Sequence, residues 1–431
     1  MSKYESRPRN LTAASTEAYA DTHPTLNLRG GRVSAAERWL VRKWLSLLGD
    51  PPIAFVLRNG EVVAPRDRKP MARALIPSRA SLLTLFLYPY HFLGDGYAQG
   101  HVDVQGDLVK AVEALYGRLE NVGTRGRLQE FAYRWMNRPK RNTLPGSRQN
   151  IHHHYDIGND FYRLWLDERM VYTCAYYRSP TDNLEQAQLA KMDHVARKLR
   201  LHPGQTVIEA GCGWGSLALH MAARYGVKVR AFNISHEQIA YARERARAEG
   251  LSERIEFIED DYRNISGRYD AFVSVGMLEH VGTEHYHELG RLIRRSLKSS
   301  GLGLIHSIGR NRPQPMNPWI EQRIFPGSYP PSLGQMMDIF APQEFSVLDV
   351  ENLRLHYAQT CEDWLARFEQ KIERVLDMFD LRFARMWRLY LAGSAAAFRV
   401  GSLQLFQVVF AFARNNDIPR TRDDIYRSGA A

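Results

Sequence analysis

The sequence predicts an α/β protein, in which a parallel sheet carries helices on both faces and a smaller α+β domain precedes it. Three observations predict it. After residue 200, apolar strand-like runs alternate with helical patterns at a regular spacing, as in a parallel sheet covered on both faces. The first of those runs ends in a turn with glycine at alternate positions, "GCGWG". Before residue 123, helix and hairpin signals are mixed, and a chain of 431 residues is long enough for one large domain with a smaller companion.

Along the chain, residues 1–34 read as a flexible arm and 35–122 as the small domain. Within it, "AAERWLVRKWLSLLG" has helical periodicity, "IAFVLRNGEVVAP" reads as a hairpin around Asn59-Gly60, and "DLVKAVEALYGRL" is a second helix. Residues 123–150 end in a mixture of Pro, Gly, Ser and Arg that suggests a linker. The large domain, 151–415, then runs strand "QTVIEAG", helix "SLALHMAARYG", strand "VKVRAFNIS", helix "HEQIAYARERARAEG", strand "RIEFIEDD", strand "YDAFVSVGM", helix "HYHELGRLIRRSLKSSG" and strand "LGLIHSIG". Residues 416–431 form a tail, and no internal repeat is visible.

Composition excludes several classes. Hydrophobic residues make up 44% and charged residues 24%, which is ordinary for a globular chain and argues against wholesale disorder. The three cysteines, Cys174, Cys212 and Cys361, have no framework spacing and fit a reducing cytoplasm. The first thirty residues contain no apolar core, so no signal peptide is expected. Two greasy stretches, 80–94 and 390–413, do not read as membrane spans: the first is too short and the second contains Arg399 and several polar residues.

Charge is unevenly spread. Residues 1–150 hold 23 Lys and Arg against 13 Asp and Glu, a net +10, while the remainder holds 35 against 34. A basic third suits nucleic acid, an anionic membrane surface or simple solubility. No zinc-ligand pairs, recognition-helix pattern or RNP aromatics accompany it, so no nucleic-acid partner is expected.

Chemistry should sit in the turns at the carboxyl ends of the parallel strands. A dinucleotide fold asks for G-x-G-x-x-G and an acid at the end of the second strand. Here the glycine spacing is G-x-G-x-G, and Asn233 occupies the acid's place. Glu209 instead puts a carboxylate inside the first turn, where it can hold an ammonium group. The pattern E/D-x-G-x-G-x-G after a strand resembles the glycine loop of class I S-adenosylmethionine-dependent methyltransferases, whose domain is Rossmann-like.

Four further segments occur in order: "HYDIGNDFYRLWLDERMVYTCAYY", "EAGCGWGSLALHMAARYGVKV", "DYRNISGRYDAFVSVGMLEHVG" and "NPWIEQRIFPGSYPPSL". Together they resemble the cyclopropane-fatty-acyl-phospholipid synthases, and the likeness continues through "HYAQTCEDWLARFEQ" and "YLAGSAAAFRVGSLQLFQVVF", from about 150 to 412. Residues 80–108 resemble, less specifically, the family's small N-terminal lipid-binding domain.

The resemblance implies methyl transfer from S-adenosylmethionine to a cis alkene of a phospholipid acyl chain. A carbocation follows, and a base removes a proton from the new methyl so that a cyclopropane ring closes. It also implies that Cys174, Glu279, His306, Tyr357 and the backbone at Ile308 hold a bicarbonate ion as that base. Such an oxyanion is basic yet weakly nucleophilic; thiol, imidazole and phenol can donate to it, while Glu279 would share a proton or orient His306. For the cofactor, the carry-over assigns Glu209, Gly211 and Gly213 to the methionine portion, Asn233, Ile234 and Gln238 to the ribose side, and Asp261 and Tyr262 to the adenine. Tyr172 and Thr173 would close over the sulfonium.

Two positions depart from the family pattern. Thr173 replaces a frequent serine and keeps its hydroxyl, and Ser394 stands where many members have a cysteine, so no thiolate can form there. The adjacent histidines His152, His153 and His154 diverge, whereas metal ligands on one face need i, i+3 or i+4 spacing, so no metal is expected. Phe161, Tyr162, Trp165, Tyr172, Tyr176 and Tyr177 divide between ordinary core and the lining of an apolar channel. A sibling enzyme making methyl-branched, methylene or methoxy fatty acids or an N-methylated amine, and a lipid-binding protein without catalysis, are the rival readings. The expected partner is an anionic phospholipid bilayer, met from the cytoplasm at the inner face of the cell membrane; a homodimer is left open.

Overall fold

The computed structural model describes residues 30–87, 92–122 and 157–426. Most of the expected arm, the whole linker 123–150, the three adjacent histidines and the end of the tail lie outside the described residues. The chain divides into two compact units that do not follow chain order. The first draws on Met1–Arg138, Asn317–Ile324 and Ala358–Ser402, and the second on Pro139–Met316, Phe325–Tyr357 and Leu403–Ala431.

In the first unit, helix α1 (Ala35–Leu47) starts at a capping box: Ser34 Oγ accepts from the Glu37 amide and the Glu37 carboxylate reaches back to the Ser34 amide. A four-stranded sheet follows in the order β2-β1-β3-β4, with β1 (Ile53–Val56), β2 (Val62–Val63), β3 (Ala72–Leu75) and β4 (Asp103–Gly106). Strands β1 and β2 form the hairpin expected at Asn59-Gly60, where Gly60 takes φ +85°. Helices α2 (Arg79–Leu87) and α3 (Leu108–Val122) complete the N-terminal part, and helix Leu381–Arg399 packs on α3. From that helix the buried Arg385 donates to the carbonyls of Tyr97 and Val102 at 2.6 and 3.1 Å, satisfying backbone acceptors that burial has cut off from water. The apolar stretch 390–413 is thus the end of this helix and a strand, not a span; among the described residues no helix is long and apolar enough to cross a membrane.

The second unit holds a seven-stranded sheet in the order β10-β11-β9-β8-β5-β6-β7. Its strands are β5 (Thr206–Ala210), β6 (Lys228–Asn233), β7 (Ile255–Glu259), β8 (Tyr269–Val275), β9 (Leu297–Gly309), β10 (Phe345–Asn352) and β11 (Gln404–Phe412). The five strands from β9 to β7 are parallel as expected, while β11 runs antiparallel to β9 and β10 antiparallel to β11. Side chains alternate between two cores. Val207, Ala231, Val273 and Leu304 face helices α4 (Leu184–Lys198), α5 (Ser216–Tyr225) and α6 (His236–Ala248). Ile208, Phe232, Phe272 and Ile305 face α7 (Tyr286–Ser296) on the opposite side.

Strand order reverses at β5: the chain leaves it for β6 and β7 on one side and returns through β8 on the other. The crevice at the carboxyl ends of β5 and β8 is therefore the switch point where such sheets bind ligands.

Candidate active site

The loop after β5 is shaped by glycine at all three alternate positions, with φ of +83°, +52° and +81° at Gly211, Gly213 and Gly215. Their reasons differ. A Cβ at Gly211 would lie 2.9 Å from Met277 Cβ, and one at Gly215 would lie 2.6 Å from Phe257 Cζ, so both are needed for close packing. A Cβ at Gly213 would meet nothing within 4 Å, which leaves open space before its backbone.

Around this loop the expected cofactor residues come together. Asn233 Nδ2 donates to Gly213 O at 3.3 Å and to Gln238 Oε1 at 2.7 Å, linking the ends of β6 and α6 to the glycine turn. Glu209, 2% exposed, leaves Oε2 buried with no hydrogen-bond partner among the described residues. Burial pushes its carboxyl up to about 8, against the pull of Lys191. An orphaned acid beside an open glycine turn fits the ammonium end of S-adenosylmethionine.

Asp261 and Tyr262 are buried at the end of β7. Asp261 Oδ1 already accepts from the Arg263 amide at 2.9 Å, while Tyr262 keeps its hydroxyl buried and unpartnered among the described residues. Ile234 follows Asn233 at the end of β6. Tyr172 leans on Trp165 and Tyr162 at ring separations of 5.2 and 5.5 Å. Thr173 sits against Gly276, whose Cβ position is 3.1 Å from Thr173 Cγ2.

The elements that carry the expected anion residues are linked by a chain of hydrogen bonds, most of them through the backbone. His306 and Ile308 lie two apart on β9 and so share a face. The Ile308 amide donates to Glu279 Oε1 at 2.6 Å, from the last strand residues to the short turn after β8. Leu405, opposite Ile308 on β11, accepts at its carbonyl from the Leu353 amide at 2.9 Å. The Leu353 carbonyl in turn accepts from the Tyr357 amide at 3.1 Å, in the first turn of α8 (Arg354–Gln370), and from Cys174 Sγ at 3.9 Å. Cys174 is fully buried, and its thiol also donates to Ala175 O at 3.1 Å.

His306 is oriented by a residue that sequence reasoning missed. Gln407, directly across the β9–β11 ladder, places Nε2 3.0 Å from His306 Nδ1. With the amide nitrogen assigned to that position, Nδ1 is the acceptor and Nε2 carries the proton. Burial holds the imidazole well below its usual range, and Lys191 and Lys198 push the same way, so the ring stays neutral. Nε2 is buried without a hydrogen-bond partner among the described residues. The described contact to His306 Nδ1 thus comes from Gln407 rather than Glu279. Burial pushes the Glu279 carboxyl up to about 7, and its Oε2 has no hydrogen-bond partner among the described residues.

The aromatic residues sort by burial. Phe161, Tyr162 and Trp165 are fully buried and pack edge to face or tilted at 5.6 to 6.0 Å, which makes them core rather than channel. Tyr176 is stacked between His194 at 4.3 Å and His356 at 4.7 Å. The buried face of α4 is unusually polar: Gln188 donates to the Thr173 carbonyl at 2.8 Å, Lys191 to Thr173 Oγ1 at 3.1 Å, and Lys198 to Glu351 Oε2 at 2.6 Å. Gln188, Lys191 and Lys198 recur at helical spacing in "LEQAQLAKMDHVARK", where a core helix would carry apolar residues; that misplaced polarity was the available signal. Ser394 lies half-buried in helix Leu381–Arg399 of the first unit.

Comparison with known proteins adds to this geometry. The family description "Mycolic acid cyclopropane synthetase" matches residues 143–408. A Pseudomonas putida protein named "probable fatty acid methyltransferase" is 36% identical over 346 residues, covering 78% of this chain and 86% of that one. The cyclopropane-fatty-acyl-phospholipid synthase of Escherichia coli (strain K12) is 40% identical over 266 residues, covering 62% of this chain and 68% of that one. Among solved structures, mycolic acid cyclopropane synthase CmaA1 complexed with SAH and CTAB superposes with a TM-score of 0.58 at 29% identity, covering 61% of this chain and 97% of that chain.

Proposed function

The chain belongs to the mycolic acid cyclopropane synthetase family and is an S-adenosylmethionine-dependent transferase; from that premise we propose that it converts cis-unsaturated acyl chains of phospholipids to cyclopropane acyl chains. S-adenosylmethionine supplies an electrophilic methyl group. Glu209, the open backbone at Gly213 and the Asn233–Gln238 pair would hold it, and Thr173 would cover its reacting end. The alkene π-bond would take that methyl as the S–CH3 bond breaks, S-adenosylhomocysteine would leave as a neutral thioether, and the positive charge would pass to the acyl chain. Ring closure then requires a base that is not itself methylated, and a bicarbonate held by this chain would supply it.

The observation that carries the reading is a pair of buried polar atoms without a hydrogen-bond partner among the described residues, His306 Nε2 and Glu279 Oε2, on residues linked through the Ile308 amide of β9. The neutral imidazole donates from Nε2, and Glu279, holding its proton near neutrality, donates from Oε2. Two such donors with no acceptor among the described residues suit a small oxyanion. Incubation with oleoyl-phospholipid vesicles and S-adenosylmethionine tests the reaction. Proton NMR of the released acyl chains should show the upfield ring methylene and lose the vinyl signal, and carbon-dioxide-depleted buffer should slow turnover until bicarbonate is restored.

A second reading is favoured by the relative that spans most of the chain, named a fatty acid methyltransferase. In it the same first step ends in a methyl-branched or methylene product, and the NMR spectrum would lack the ring signal. In both readings the enzyme reaches its substrate at an anionic bilayer surface as a peripheral protein on the cytoplasmic side.

A further inference from the structure

Lys191, in the middle of α4 and 2% exposed, has no task in the reaction outlined above. Its Nζ donates to Thr173 Oγ1 at 3.1 Å, and among the described residues no carboxylate pairs with it. Burial pulls the ammonium down to about 8, although Asp167, Cys174 and Glu209 all act to keep it charged. His306 also feels its charge across the same face of the sheet. A buried cation is ordinarily paired, because desolvating an unpaired one is costly. Asp167 and Glu209 lie near enough to favour the charge, but neither pairs with Nζ, so among the described residues the ammonium keeps a place for an anion brought by a ligand.

Thr173 indicates where that anion binds. An ammonium can only donate, so Thr173 Oγ1 is the acceptor toward Lys191 and its own proton must be donated elsewhere. The residue is held on two further sides, by Gln188 Nε2 on its carbonyl at 2.8 Å and by Gly276 against its methyl. Resting on the cofactor reading above, we propose that Lys191 is a positioning residue for S-adenosylmethionine: acting through the Thr173 hydroxyl, it holds the carboxylate of the methionine end while Glu209 takes the ammonium. The shared chemistry is a small carboxylate-type anion, for which bicarbonate is the other source.

The test is calorimetric, on the full chain, with S-adenosylhomocysteine and with 5′-methylthioadenosine, which keeps the adenosine and sulfur but lacks the amino-acid end. Lys191→Met should weaken S-adenosylhomocysteine about tenfold or more, the scale of a lost charge-assisted hydrogen bond, and leave 5′-methylthioadenosine within about twofold. Equal losses for both ligands, or none for either, overturn the proposal. Unchanged S-adenosylhomocysteine affinity with a raised bicarbonate requirement in turnover assigns the anion to bicarbonate and also overturns it. If Lys191→Met does not fold, Thr173→Val breaks the same relay and must show the same ligand selectivity. A wild-type chain that binds neither ligand would sink the cofactor reading itself, which separates the two failures.

Discussion

The amide of Ile308 donates to Glu279 Oε1 at 2.6 Å, so one oxygen of this buried carboxyl is held by the backbone while the other has no partner among the described residues. The arrangement fixes the carboxyl plane without neutralising its charge. Burial then keeps a proton on the group to about pH 7.

Glu279→Gln should keep the Ile308 contact, since a side-chain carbonyl still accepts there, but it cannot release or take back a proton. Turnover should fall by roughly two orders of magnitude, with S-adenosylhomocysteine affinity by calorimetry little changed. A variant with more than half the wild-type rate would remove Glu279 from proton sharing.

The same substitution has a signature in stability. The folded-state value of about 7 lies above the ordinary 4.5, so the native state binds this proton more tightly than the unfolded chain does. The group's stabilisation is fully present below about pH 4.5 and is lost as pH rises through about 7. In urea unfolding of ligand-free protein, the stability of Glu279→Gln relative to wild type should therefore rise with pH across that window, by on the order of 3 kcal/mol. A difference that stays flat with pH contradicts the assignment.

Gln407 supplies a sharper probe of His306. Gln407→Glu replaces the donor at Nδ1 with an acceptor, which draws the ring proton to Nδ1 and leaves Nε2 as an acceptor facing the anion. Gln407→Met only removes the donor. Turnover should drop on the order of tenfold or more for the glutamate variant and less for methionine, with cofactor affinity unchanged in both; equal rates would mean the tautomer is set elsewhere.

These residues also mark what could be read from the chain alone. The glycine turn, Asn233 and Gln238 were legible because strand, turn and helix are contiguous and their chemistry is local. The parallel strands followed from alternation, while the residues expected to hold an anion rest on family likeness. Gln407 was not legible: it is 101 residues from His306, and only the antiparallel register of β11 on β9 brings them opposite. Lys191 escaped for a different reason: its only sign is polarity shared with Gln188 and Lys198 at helical spacing, which looks like a solvated stripe until the sheet is seen to bury it.

The glycine loop separates binding from folding. Gly213→Val meets open space, and its strain at φ +52° costs about 1–2 kcal/mol, so the variant should fold yet lose S-adenosylhomocysteine binding. Gly215→Val would press on Phe257 and Ala242 inside 3 Å and should lower the Tm strongly. Calorimetry and thermal melts of the pair check this; a Gly213→Val protein that binds normally would move the cofactor away from the turn.

The proposed phospholipid substrate would require the protein to reach a bilayer, and the exposed face of α1 is the surface proposed for it. Its outer face exposes Trp39 (61%) and Leu47 (49%) beside the exposed Arg42 and Lys43, an amphipathic mixture suited to the headgroup region. The same N-terminal third carries the net +10 of the chain. Each basic residue near an anionic surface contributes about 1 kcal/mol and is screened by salt. Vesicle binding should therefore rise with anionic lipid content and weaken several-fold between low and physiological salt. Replacing Arg42 and Lys43 together by glutamine should cost roughly thirtyfold in affinity, and Trp39→Ser should weaken binding without changing its salt dependence. Equal, salt-indifferent binding to purely zwitterionic vesicles would show that docking relies on apolar contacts alone and that the basic third is a solvated surface.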